Sequence, residues 1–244
     1  MNLKIKEYNL SDKRSKKEYN EKLFDIVAPK YDAVTVVLSF GRDGAWKKKL
    51  ADGLPEINAP VCLDLACGTG DLITSLMKKY ESPLIIGLDL NETMLQLSKK
   101  RFDKFENNIS LEKGDMADIK KNDDTFDVVT GGYALRNAPD IKKTLEEIYR
   151  VTKKGGFCSF LDFSKSRNKF LSTIQLFFLK LWGSIWGILF HGNHEIYGYI
   201  ADSLKLFPDR MTLRNMLEKI GFVDIRSKLL FFGFIEIISF RKLM

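Results

Sequence analysis

The chain has 244 residues, 45% of them hydrophobic and 12% aromatic, enough to bury a full core as one catalytic domain with at most a small appended lobe. Its 39 Lys and Arg against 32 Asp and Glu give a formal charge of +7, and the first fifty residues hold 12 basic against 7 acidic side chains. That lead favours an anionic surface, either lipid headgroups or nucleic acid, or simply keeps the protein soluble. Three cysteines, Cys62, Cys67 and Cys158, without a CxxC pair argue against a disulfide framework or a zinc ribbon and fit a reducing cytoplasm. Residues 1–20 are polar and lack the apolar run of a secretory signal.

Residues 1–50 carry two apolar helix faces, 23–27 and 34–38, and are expected to form an N-terminal helical cap over the ligand edge of a domain spanning 51–244. From Val61 onward, apolar runs at 61–65, 84–89, 109–113, 126–130 and 157–163 alternate with helical patterns such as 92–105 and 142–151. This alternation predicts an α/β fold, a doubly wound and mostly parallel sheet. Two β-rich runs, 223–232 and 234–240, meet at Gly233 and predict a C-terminal hairpin.

Within 165–205 lies a 21-residue stretch, 170–190, whose single charge is Lys180. Its length approaches that of a membrane span. At about 100° per residue, however, Ser172, Thr173, Lys180, Gly183, Ser184 and Gly187 gather on one third of the helix, with Leu176 and Phe190 intruding. One-sidedness suits an interface, so the segment is expected to cover a greasy substrate or to touch a membrane. Gly183 and Gly187 are compatible with close helix packing alone.

The strongest chemical signal is Asp64-Leu65-Ala66-Cys67-Gly68-Thr69-Gly70-Asp71, where a first strand should turn into a helix. Glycines at 68 and 70 let backbone lie against a ligand, but Ile73 stands where a dinucleotide fingerprint needs its third Gly or Ala, so a pyrophosphate site is disfavoured. A carboxylate ahead of the glycines instead suits a cationic amino-acid ligand, the methionine end of S-adenosyl-L-methionine. Asp89 closes the second strand 25 residues later, and Asp115 follows the third after 26 more. Successive parallel strands bring their carboxyl ends to one rim. Asp89 is placed for the ribose hydroxyls, Asp115 for the adenine amine, and Met94 and Met116 for the ring. Ala66, Thr69, Leu90 and Gly131 complete the expected cofactor set. His191 and His194 have neither cysteines nor a carboxylate cluster beside them, and no metal is assigned.

The segment 24–32, Phe-Asp-Ile-Val-Ala-Pro-Lys-Tyr-Asp, followed by Leu38-Ser39-Phe40-Gly41 and Trp46, resembles the N-terminal signature of the C-methyltransferases of ubiquinone and menaquinone biosynthesis. Leu135-Arg136-Asn137, Arg150-Val151 with Lys154-Gly155-Gly156, Phe163-Ser164, Tyr197 with Ala201-Asp202-Ser203, and Phe207-Pro208 resemble its later landmarks, so the likeness runs from about 24 to 242. It departs at Thr35, Asp43 and Asp162, where the family usually has Asn, His and Glu. The resemblance implies methyl transfer from S-adenosylmethionine to a ring carbon of a quinol with an isoprenoid tail, either a demethylmenaquinol or a polyprenyl benzoquinol.

That reaction needs the ring carbon held in line with the methyl group and phenolate character stabilised. Arg136 is the candidate cation, Asn137 the candidate ring-orienting amide and Tyr31 the residue that completes the set from the cap. Alternatively, Arg136 and Asn137 cap the helix beginning near Asp140. Phe177, Phe178, Trp182, Ile185 and Trp186 are candidates for an isoprenoid channel or a membrane contact. The expected setting is the cytoplasm, peripheral to an anionic membrane. No nucleic-acid partner is expected, since 131–133, Gly-Gly-Tyr, carries neither an Asn-Pro-Pro-Tyr-like motif nor a Pro-Cys nucleophile. A homodimer stays open. The competing readings are a methyltransferase for another small-molecule, lipid or RNA acceptor, and a non-catalytic scaffold that keeps the fold.

Overall fold

The computed structural model describes residues 3–105 and 108–244. Three helices come first: α1 (Lys13–Val27), α2 (Tyr31–Leu38) and α3 (Asp43–Asp52). The α/β unit then runs β1 (Val61–Leu65), α4 (Asp71–Lys79), β2 (Leu84–Asp89), α5 (Glu92–Phe102), β3 (Ile109–Lys113), β4 (Phe126–Gly132), α6 (Ile141–Val151) and β5 (Thr152–Phe163). Three helices, α7 (Lys169–His191), α8 (Glu195–Leu206) and α9 (Arg210–Ile220), lead to the terminal strands β6 (Phe222–Leu230) and β7 (Ile235–Lys242).

The seven strands order as β3-β2-β1-β4-β5-β7-β6. The first five are mutually parallel, and β7 runs antiparallel to both β5 and β6. Strands covered on both faces read as continuous apolar runs, and Leu63, Leu65, Val128, Val129 and Phe160 are accordingly buried completely. The chain travels outward from β1 to β3 and returns to β4 beside β1. This reversal of strand order opens a crevice at the carboxyl ends of β1 and β4, where ligands of open α/β sheets bind.

Turn chemistry fixes the rim. Asn91 caps α5, its side chain accepting from the Met94 N–H at 2.9 Å, and Asp140 caps α6 through the Lys143 N–H at 3.2 Å. Helix α6 thus has its own cap, and Arg136 and Asn137 are free for other work. The hairpin between β6 and β7 closes through a short 3₁₀ turn at Phe231–Gly233.

Helices α1 to α3 lie over the rim and are pinned to it one loop at a time. Lys17 pairs with Asp115 at 2.6 Å, Asp25 accepts from Asn91 and Thr93 at 2.8 Å each, and Asp32 accepts from the Thr69 hydroxyl at 2.7 Å.

Helix α7 packs along α8 with its small and polar stripe inward. A Cβ on Gly183 would meet the Tyr197 carbonyl, and one on Gly187 the Asn193 carbonyl, so these glycines set the approach of the two helices. The opposite, apolar stripe faces outward: Phe170, Phe177 and Leu189 are 72%, 70% and 67% exposed. The usual polarity of a surface helix is inverted.

Candidate active site

The turn after β1 places backbone against the crevice. Ala66, Gly68 and Gly70 all take positive φ, and the Gly68 N–H donates to Asp89 Oδ2 at 2.8 Å. The two glycines differ in purpose. A Cβ on Gly68 would meet open space, whereas one on Gly70 would run into the Phe102 ring and the Ser98 hydroxyl, so Gly70 serves the packing of α4 on α5.

A cavity of about 730 Å³ lies at the ends of β1, β2 and β3, lined by Ala66, Gly68, Asp89, Leu90, Met94, Asp115 and Met116. The Asp89 carboxylate is oriented by two backbone donors, Gly68 and Asn91, both at 2.8 Å, and burial holds it above its ordinary pKa. Asp115 accepts from the Ala117 N–H at 2.9 Å and from Lys17.

Asp64 and Thr69 line a smaller hollow next door, with Lys47, Asp71 and Tyr133. Burial pushes the Asp64 carboxyl up to about 7, against the opposing hydrogen bond from the Thr130 hydroxyl at 2.8 Å. Lys47 Nζ sits between Asp43 at 2.6 Å and Asp71 at 2.8 Å, and these two carboxylates outweigh the burial that would otherwise pull its ammonium down.

Two of the expected cofactor residues do not line these spaces. Gly131 lines neither space: its missing side chain faces Phe160 and Ala134, and because strand residues alternate, its neighbour Gly132 is the one that borders both. Gly70 lines neither as well, for the packing reason given above.

A second cavity, of about 900 Å³, lies under the cap and against α7 and α8. Its wall is mostly apolar, with Val34, Phe40, Phe178, Leu179 and Trp182 among the lining residues, and Phe40 stacks on Trp182 at 4.6 Å between ring centres. Of the aromatic residues named from sequence, Phe178 and Trp182 line it, while Phe177 and Ile185 face outward and Trp186 packs between Trp182 and Phe190. Arg136 borders this cavity and not the cofactor-type one. Its guanidinium is buried beside Asp162, bonds the Ser203 hydroxyl, and lies over the rings of Phe163 and Tyr199 at 5.4 and 5.6 Å. Its Nε has no hydrogen-bond partner among the described residues.

Four residues border both cavities: Phe24, Tyr31, Tyr133 and Asn137. The Asn137 amide donates to the Tyr133 carbonyl at 2.9 Å and its oxygen accepts from the Tyr199 hydroxyl at 3.3 Å. Burial holds the Tyr31 phenol up to about 12. Of the three departures from the family pattern, Thr35 lines the apolar cavity, Asp162 pairs with Arg136, and Asp43 accepts from the Tyr133 hydroxyl at 2.8 Å. His191 is paired with the Tyr197 hydroxyl at 2.7 Å.

Sequence reasoning missed Lys47, Gly132 and Tyr133. Lys47 reads as one of a run of surface lysines, and only the fold of α3 against α4 buries it. An open face at Gly68, carboxylates at successive strand ends and thioether contacts fit a ligand with an amino-acid end, a ribose and an adenine ring. A crevice of this kind at the strand-order reversal defines a class I S-adenosylmethionine-dependent methyltransferase, and the match to the ubiE/COQ5 methyltransferase family over residues 12–240 narrows it further. The chain belongs to that family.

Relatives include the demethylmenaquinone methyltransferase of Lactobacillus johnsonii, 34% identical over 220 residues and covering 89% of each chain. The Staphylococcus aureus protein of the same name is 31% identical, over 90% of this chain and 91% of its own. Among solved structures, an S-adenosylmethionine-dependent methyltransferase from Thermotoga maritima superposes with a TM-score of 0.62 at 18% identity, over 91% of this chain and 99% of that one. Phosphoethanolamine N-methyltransferase 2 of Haemonchus contortus, in complex with S-adenosyl-L-methionine, gives 0.64 at 13%, over 82% and 53%. These two likenesses establish the fold.

Proposed function

We propose that this chain methylates a ring carbon of a demethylmenaquinol, a naphthoquinol with an isoprenoid tail, using S-adenosylmethionine as donor. The observation that carries this reading is the junction of the two cavities at Phe24, Tyr31, Tyr133 and Asn137. The narrow cavity has the donor set for the cofactor, which supplies an electrophilic methyl group. Asp89 is the candidate for the ribose, Asp115 and Met116 for the adenine, and Asp64 with Lys47 for the amino and carboxylate ends. The wide cavity is greasy enough for a prenylated ring, and the relatives named above are demethylmenaquinone methyltransferases.

At the inner end of the wide cavity, Arg136 is the acceptor-side cation. A fixed guanidinium beside a ring hydroxyl lowers that hydroxyl's pKa and raises the electron density of the neighbouring carbon. Asn137 and Tyr31 orient the ring at the junction.

A tailed quinol resides in a bilayer, and the outward stripe of α7 offers a place to meet it. That stripe backs directly on the wall formed by Phe178, Leu179 and Trp182, and Arg167 and Lys169 at its start are exposed. Exposed apolar area flanked by cations suits reversible attachment to an anionic surface. The substrate reading is tested by supplying labelled cofactor with demethylated naphthoquinol and benzoquinol side by side. Label on the naphthoquinol is expected. Label on the benzoquinol alone, or on an unrelated acceptor, overturns the assignment.

A further inference from the structure

Tyr133 directly follows β4 in a left-handed conformation, φ +58°, which strains a non-glycine residue. The backbone is held there by its N–H bond to the Leu161 carbonyl at 2.6 Å. The strained turn aims the phenol across the wall between the cavities, where its hydroxyl donates to Asp43 Oδ1 at 2.8 Å. Among the described residues, this is the tyrosine hydroxyl that is bonded to a carboxylate. Tyr31, the other phenol at the junction, has no such partner among them.

Asp43 is buried and is the first residue of α3, so the positive end of that helix faces its carboxylate. Its second oxygen pairs with Lys47, which also holds Asp71. Asp43 further borders a groove on the outer surface, shared with Asp32, Lys47, Asp71 and Arg101. A continuous line therefore runs from the cavity junction through Tyr133 and Asp43 to solvent.

We propose that Tyr133 and Asp43 form a reversible proton relay for the acceptor's ring hydroxyl, which gives its proton to the Tyr133 oxygen as the Tyr133 proton passes to Asp43. Tyr133 is then the catalytic residue that touches the acceptor, and Asp43 the positioning residue that acts through it. This rests on the quinol reading above. The bonds balance. The acceptor O–H breaks and a Tyr133 O–H forms, while the old Tyr133 O–H breaks and an Asp43 O–H forms. After the ring carbon has gained the methyl group, that carbon loses its hydrogen as a proton to solvent, and the ring oxygen recovers a proton back through Tyr133. One proton is released per methyl transferred. Lys47 does not become an orphan when Asp43 is neutralised, because Asp71 remains its counter-ion at 2.8 Å. The complementary arrangement leaves Arg136 to stabilise charge on the ring oxygen and Tyr133 to carry the proton.

The charged and titratable groups facing Asp43 are Lys47 on its own helix, Tyr133 just past β4, Tyr31 and Asp32 from α2, Asp71 from α4 and Arg101 from α5. The test is the pH dependence of methyl transfer to a short-tailed demethylnaphthoquinol by the full chain, saturated with cofactor, in Tyr133→Phe, Asp43→Asn, the double variant and Asp43→His. Each single variant is expected to lower kcat by about 10²-fold with KM for the acceptor changed far less, and to replace the wild type's plateau by a rate that climbs with hydroxide. The double variant is expected to be no slower than either single one, since the two residues act as a unit. Asp43→His supplies another base in the same place and should restore a plateau, with its acid limb near the ordinary histidine value of about 6.5. Full turnover with a wild-type profile in Tyr133→Phe, or losses that multiply in the double variant, overturn the relay while leaving the substrate reading intact. Absence of wild-type turnover on the naphthoquinol overturns both.

Discussion

Arg136 Nε lies 3.6 Å from Asp162 Oδ1, and the Arg136 backbone N–H donates to the other oxygen of that carboxylate at 2.9 Å, with both side chains buried. Arg136 borders the apolar cavity, where it is the proposed acceptor-side cation. Arg136→Met keeps the stem's packing and removes the charge, so cofactor affinity, read by calorimetry, should survive while the methyl-transfer rate falls by about 10²-fold or more. Full turnover would move the acceptor-side cation elsewhere.

The same variant makes a stability prediction with a definite sign. Burial already holds Asp162 above the ordinary carboxylate range despite Arg136. Without the cation its folded-state pKa rises further, and a raised carboxyl pKa favours the folded state at low pH and is a liability as pH rises. The deficit of Arg136→Met against wild type, from denaturant melts, should therefore be smaller at pH 5 than at pH 8. A deficit equal at the two pH values would show that Asp162 stays ionised without its partner.

Asp64 is expected to couple pH to cofactor binding. Its carboxyl is held up to about 7 by burial, and its ionised form is the one that attracts an ammonium group. Affinity for S-adenosylhomocysteine should fall as pH drops below 7, by at most about tenfold per unit, and the slope should flatten in Asp64→Asn. Equal affinity at pH 5.5 and 7.5 in the wild type would remove Asp64 from the cofactor's amino end.

Much of this site is readable before any folding is considered. Asp64, Asp89 and Asp115 announce themselves because each stands at or near the end of an apolar run, and parallel strands oblige such ends to share a rim. Gly131 and Gly132 cannot be told apart from sequence, since two adjacent glycines leave the facing of a strand undecided until Phe160 and Ala134 claim the side of Gly131. The set of Asp43, Lys47 and Tyr133 is invisible locally: it brings together residues 90 positions apart, and each has an ordinary surface or core explanation alone. The polarity of α7 also misleads. A helix stripe of Gly, Ser and Lys normally faces water, but here Lys180, Gly183, Ser184 and Gly187 pack on the start of α8 because glycine permits backbone approach.

Asp89 anchors the turn and is the candidate ribose ligand, and its loss should affect both stability and binding. Asp89→Ala removes the candidate ribose acceptor and should weaken cofactor binding by about 1.5–3 kcal/mol. It also strands the N–H groups of Gly68 and Asn91, so the thermal midpoint should drop without ligand present. Loss of stability with unchanged affinity would make the residue a turn anchor only.

The outward stripe of α7 predicts lipid binding that follows exposure rather than hydrophobicity. Phe177→Ser with Leu189→Ser should abolish flotation with vesicles containing phosphatidylglycerol and leave activity on a short-tailed acceptor intact, and added salt should weaken wild-type binding. A wild-type protein that never floats with any vesicle would confine this helix to covering the cavity.

The methyl group is expected to go to carbon and not to oxygen. The direct measurement is to supply cofactor carrying a ¹³C-methyl group together with demethylmenaquinol and to read the product by NMR. A methyl signal at the shift of an aryl carbon substituent, formed by wild type and strongly reduced in Arg136→Met, is the predicted result. A methoxy signal, or label that stays on the cofactor while binding of both ligands is intact, would contradict the account.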